Sequence, residues 1–121
     1  MLTIENIEVS YYHTVQALRG LSLEVPQGKI VTLLGTNGAG KTTTLKAASN
    51  LLKLENGDVG EGRIHFDGQN IKNVAPDALV KQGLFHVREG RRIFSEMSVE
   101  DNLIAASYAL DGRGIKAAVA V

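Results

Sequence analysis

Apolar and polar side chains alternate from Leu2 to Val9, with Leu2 and Ile4 on one face and Ile7 and Val9 taking it up again after a slip at Asn6. A period of two with one slip predicts a half-buried antiparallel strand carrying a bulge. The same alternation returns at Leu18 to Val25, where Leu21, Leu23 and Val25 point one way and Ser22 and Glu24 the other, and Pro26-Gln27-Gly28 makes a turn. Lys29-Ile30-Val31-Thr32-Leu33-Leu34 is a nearly continuous apolar run, which predicts a strand buried on both faces. From Thr43 to Leu52 the period changes to that of a helix: Leu45, Ala48 and Leu52 share a face expected to pack on the sheet, with Lys46 and Lys53 left in water.

Further along, Asn56-Gly57-Asp58 and Gly60-Glu61-Gly62 have turn chemistry, and Arg63-Ile64-His65-Phe66 is a short alternating strand closed by the hairpin signal Asp67-Gly68. Pro76 fits the first position of a short helix ending before Gly83, and Leu84-Phe85-His86-Val87 predicts another buried strand. Ser98-Val99-Glu100-Asp101 resembles a capping box, opening a helix whose apolar stripe is Val99, Leu103, Ala106 and Leu110, with a stop at Asp111-Gly112. Ile115 to Val121 begins what would be a further helix. Strands that interleave with helices, after an antiparallel start, give an α/β class with a small antiparallel layer leading into a buried strand.

Composition narrows this picture only a little. With 121 residues, 44% of them hydrophobic, the chain can hold one modest core, and residues 1–121 are expected to make up one domain at most. It has no Cys, which excludes a disulfide framework and fits a reducing compartment. The formal net charge is zero, which gives no electrostatic case for nucleic acid or an anionic membrane. Met1 to Asn6 lacks the basic and apolar regions of a signal peptide, and no apolar window reaches bilayer length.

The candidate chemistry lies in Gly35-Thr36-Asn37-Gly38-Ala39-Gly40-Lys41-Thr42, which matches G-x-x-x-x-G-K-[ST] without a gap. The glycines let the backbone turn tightly enough to aim several N–H groups at one anion, and the helix that follows points its positive end at the same place. Lys41 is expected to carry charge to the β- and γ-phosphates, and the Thr42 hydroxyl to reach the accompanying Mg²⁺. The expected order of strand, glycine loop and helix is the one this chemistry requires.

These residues, with their neighbours, resemble the N-terminal half of an ATP-binding-cassette (ABC) nucleotide-binding domain, a P-loop NTPase, along essentially the whole chain. Ile4-Glu5-Asn6-Ile7 with Ser10-Tyr11, then Ala17 to Leu23, then GTNGAGKTTTLK, then the Gly62-to-Gly68 strand stand in the family's order. Val87-Arg88-Glu89-Gly90-Arg91-Arg92-Ile93-Phe94 followed by Met97 to Leu103 looks like the ATP-binding subunits of branched-chain amino-acid importers.

The resemblance implies an antiparallel β layer beside an incomplete, mainly parallel core sheet, and ATP and Mg²⁺ as ligands, with Gly35 to Thr43 around the phosphates. It implies an aromatic residue stacked on adenine near the end of the first strand, where Tyr11 stands and Tyr12 is the adjacent candidate. It implies a polar residue that senses Mg²⁺ and the attacking water at His86, where the family has Gln; a lone His on an apolar strand serves equally well as a packing residue. Arg88 departs from the subfamily's Pro. The implied partners are a second ATP-binding subunit in a head-to-tail dimer, transmembrane permease subunits and, indirectly, a substrate-binding protein, with no nucleic acid. The implied place is the cytoplasmic face of the cell membrane.

The family's domain is roughly twice this length, and its signature segment, acidic strand and switch histidine fall in the half not represented here. Ile30 to Leu34 is then expected to show unpaired apolar edges, and the 121 residues are expected to bind nucleotide without hydrolysing it. The alternatives are a truncated product that binds weakly or does not fold, a P-loop NTPase of another kind, and an importer of urea or another small polar solute.

Overall fold

A computed structural model describes residues 1–90 and 92–107. The stop at Asp111-Gly112, the stripe residue Leu110 and the element from Ile115 lie outside the described residues. The chain divides into two compact units, Met1–Pro76 and Asp77–Val121.

The first unit is built on β1 (Leu2–Tyr11), which pairs antiparallel with β2 (Val15–Val25) along one edge. Its other edge pairs with β3 (Gly57–Val59) near its end and with β4 (Arg63–Phe66) near its start. A two-residue strand, β5 (Gln69–Asn70), follows β4 through the Asp67-Gly68 turn, giving the sheet order β2-β1-β4-β5. The slip at Asn6 is a real bulge: the β1–β2 register shifts between Ile4 and Ile7, Asn6 takes φ 47°, and its N–H donates to Ser22 Oγ at 2.8 Å. The bulge keeps Ile4, Ile7 and Val9 all buried, as the alternation requires.

These side chains form the core with Leu18 of β2, Ile64 and Phe66 of β4, Ile71, and Ala47 and Ala48 of α1 (Lys41–Ala48). Helix α1 ends earlier than expected, and Leu52–Glu55 forms a separate 3₁₀ turn. Asn50, at φ 57°, breaks the helix and donates from Nδ2 to the Ile71 and Val74 carbonyls at 2.5 and 2.7 Å. The buried face of α1 is Thr44, Ala47 and Ala48, with Leu52 buried in the turn beyond. Leu45 is 52% exposed, so the expected face through Leu45 is rotated toward Thr44. Small residues let the helix approach the sheet closely, which a leucine on that line would prevent. Lys46 is not simply in water either, since its Nζ pairs with Glu55 at 2.6 Å.

Two expected strands are absent as strands. Lys29 to Leu34 runs between β2 and the glycine loop with no ladder partner among the described residues; Ile30 is 97% and Leu34 85% exposed. Leu84 to Val87 likewise has no strand assignment, with Phe85 and Val87 exposed. An apolar run specifies a segment that gains from burial, while a strand exists only where another segment supplies the facing N–H and C=O groups.

In the second unit, α2 (Pro76–Lys81) ends before Gly83 as expected, and α3 (Val99–Ala106) follows a loop. Ser98 caps α3, its Oγ accepting from the Asp101 N–H at 3.1 Å. The stripe itself is not buried: Val99, Leu103 and Ala106 are all exposed, as is Ile104 beside them. Asn102 holds the preceding loop with four hydrogen bonds, accepting from the Phe94 N–H and donating to the Phe94, Met97 and Ser98 carbonyls.

Candidate functional site

The glycine loop runs directly into α1. Gly40 is the residue before the helix, in the left-handed region at φ 93°, and it brings no side-chain hydrogen bond to the helix start. A Cβ there would also stand 2.5 Å from Leu18 Cδ2, so glycine is needed twice over: for the turn and for the close approach to β2. The Gly40 carbonyl accepts both the Thr44 N–H at 2.9 Å and the Thr44 Oγ1 hydroxyl at 2.8 Å. That anchors the first turn while the N–H groups of Lys41, Thr42 and Thr43 fall ahead of the first intrahelical bond, with no acidic side chain in the turn to compete for them.

Lys41 folds back over the loop. Its Nζ donates to the Gly35 carbonyl and to the Thr36 carbonyl, the latter at 2.9 Å. Thr36 O also accepts from the Ala39 N–H at 3.1 Å, closing the turn through Asn37 and Gly38. The ammonium group is held by two successive loop carbonyls, with Thr42 exposed at the helix start. Beside it lies a groove of about 430 Å³, lined by the loop, by Thr42 and Thr43, and by Val15, Gln16 and Ala17 of β2. None of those three β2 residues was expected at the site from the sequence, and nothing in their residue types marks them for it.

This donor set fits a polyphosphate: Lys41, the first turn of α1 and the hydroxyl-bearing Thr36, Thr42 and Thr43 line the groove, with no carboxylate among them. It fits Mg²⁺ only in company. Among the described residues no group of three or more His, Asp or Glu could hold a metal ion, so Thr42 would be a single oxygen ligand beside phosphate and water oxygens.

The two tyrosines differ. Tyr11 is half-buried, and its hydroxyl lies 3.1 Å from Thr43 Oγ1. Tyr12, at φ 54°, is 65% exposed in the turn between β1 and β2 and lines a separate hollow with His13, Lys53, Asn56 and Asp58. His86 belongs to the second unit, half-buried in the irregular segment between α2 and α3.

A family model described as ABC transporter matches residues 18–120. The chain is 34% identical over 111 residues to the high-affinity branched-chain amino acid transport ATP-binding protein BraG of Pseudomonas aeruginosa, a match covering 92% of this chain and 45% of BraG. It is 33% identical over 104 residues to the probable branched-chain amino acid transport ATP-binding protein LivG of Methanocaldococcus jannaschii, covering 86% of this chain and 38% of that one. Relatives named for other solutes also match, among them an sn-glycerol-3-phosphate import ATP-binding protein of Vibrio vulnificus at 31% identity, covering 98% of this chain and 29% of that one. Among solved structures, the ADP conformation of MJ1267, an ATP-binding cassette of an ABC transporter, superposes with a TM-score of 0.74 at 31% identity, covering 88% of this chain and 40% of that one. The chain thus spans less than half the length of the relatives BraG and LivG. With its glycine loop, its antiparallel layer and a family match over most of its length, the chain belongs to the ABC transporter family.

Proposed function

We propose that Gly35 to Thr43 bind the triphosphate of ATP, with Lys41 on the β- and γ-phosphates and Thr42 beside Mg²⁺, as the nucleotide anchor of an importer's ATP-binding subunit. The observation that carries this reading is the Lys41 ammonium held across the loop by the Gly35 and Thr36 carbonyls, next to a helix start capped by left-handed Gly40. A phosphate oxygen meeting that ammonium adds charge-assisted bonds on the open side without dismantling the loop. Of the two tyrosines, Tyr12 has the exposed ring, and it is the one we assign to the adenine base.

The solute we propose is a branched-chain amino acid, on the strength of the names of BraG and LivG. In the whole protein, ATP binding closes a head-to-tail pair of subunits beneath membrane permease subunits, and hydrolysis resets it. The permeases hold the pair at the cytoplasmic face; no described helix of this chain is long and apolar enough to cross a membrane. Hydrolysis needs a positioned water and an acidic partner in addition to a phosphate cradle, so binding is the activity assigned to these residues.

An equilibrium titration with ATP tests the site. Lys41→Ala is expected to remove measurable binding while leaving the circular-dichroism spectrum unchanged; undiminished affinity in that variant would refute the loop as the site.

A further inference from the structure

The hydroxyl of Tyr11, at the end of β1, meets Thr43 Oγ1 in the first turn of α1, a contact between residues 32 apart in sequence. Backbone pairing puts the ring there. Tyr11 stands opposite Gly57 in the β1–β3 ladder, and the next N–H, that of Tyr12, donates to the Asn56 carbonyl at 2.9 Å. A Cβ on residue 57 would lie 2.9 Å from Tyr11 Cε1 and 3.2 Å from Leu52 Cβ, so the ring is seated against glycine backbone. The start of α1 has no capping side chain of its own. Its first turn is therefore held by the Thr44 bond to Gly40, which is local, and by the Tyr11 bond, which reaches the sheet.

We propose that Tyr11 is a positioning residue for the phosphate site: through Thr43 its hydroxyl fixes the first turn of α1 against the β1–β3 end, so that the N–H groups of Lys41 to Thr43 converge on one anion. With the phenol donating, the Thr43 hydroxyl keeps its own proton for a phosphate oxygen. The role rests on the reading of Gly35 to Thr43 as a triphosphate site. It differs from base stacking in a decisive way, because stacking uses the ring and this role uses only the hydroxyl.

The test is a titration of the 121-residue chain with ATP and, separately, with inorganic triphosphate, which has no base. Tyr11→Phe keeps the ring and the packing on Gly57. It is expected to weaken both ligands by the same factor, about 3- to 10-fold, the range that one net hydrogen bond supports. Adding Tyr11→Phe to Thr43→Val is expected to cost nothing further, whereas Tyr12→Ala weakens ATP alone. Wild-type affinity in Tyr11→Phe, losses that multiply in the double variant, or a loss confined to ATP would each overturn the proposal. A wild-type chain that binds neither ligand overturns the phosphate-site reading and this role with it; one that binds both and is indifferent to Tyr11→Phe overturns the role alone.

Discussion

At Gly40 the backbone turns with φ 93° while passing within van der Waals reach of Leu18, so a single residue sets both the loop's exit into α1 and the helix's distance from β2. Gly40→Ala is expected to destabilise the first unit by at least about 1–2 kcal/mol, the usual cost of the left-handed region for a residue with a Cβ, and to weaken ATP binding with it. Urea unfolding monitored beside an ATP titration would check this; an unchanged midpoint with unchanged affinity would show that the loop relaxes freely. The glycine loop was legible from the sequence because it is local: Gly35 to Thr42 are consecutive, and their residue types build the turn. Tyr11 was singled out by the family resemblance for stacking on adenine, which is not the contact that the structure reveals. Its partner Thr43 and its seat on Gly57 are far away in sequence, and no pattern around Tyr11 announces either.

Among the elements, α3 shows local coding at its clearest. Ser98 was expected to cap it and does so through the Asp101 N–H, although the helix buries none of its side chains. Ser98→Ala is expected to weaken the helix start by about 1 kcal/mol. Because so little packs on α3, the change should register as faster amide exchange at Asp101 and its neighbours; protection equal to wild type there would mean that the Asn102 bonds alone hold the turn. The hold of Asn102 on Phe94 was not legible, since Asn in a first helical turn reads as an ordinary surface residue. For α1 the period announced a helix and placed Ala48 and Leu52 on the buried side, but it put Leu45 there in place of Thr44 and Ala47. Thr44, Ala47 and Ala48 are weakly hydrophobic, so Leu45 dominated the pattern, yet close packing on the sheet selects small side chains.

For the whole molecule, the main feature is the apolar run from Lys29 to Leu34, which has no ladder partner among the described residues and leaves Ile30 and Leu34 in solvent. Exposed, unpaired and β-prone, it is a template for edge-to-edge association. The 121-residue chain is therefore expected to aggregate in a concentration-dependent way, and the double variant Ile30→Lys, Leu34→Glu to suppress this without lowering the unfolding midpoint. Light scattering and urea unfolding on the same samples would decide it, and a fall in the midpoint would place these side chains in a core.

What the sequence determined by itself was a set of local features: the bulged first strand, the Asp67-Gly68 hairpin, the capped start of α3 and the glycine loop that opens α1. Each is written in neighbours a few positions apart, where steric and hydrogen-bonding preferences act directly. Tertiary structure alone decided which face of α1 is buried, that Tyr11 reaches Thr43, and that Lys29 to Leu34 and Leu84 to Val87 find no strand partner among the described residues. Pairing and facing depend on what a second, distant segment supplies, and that information is not carried by the segment that needs it.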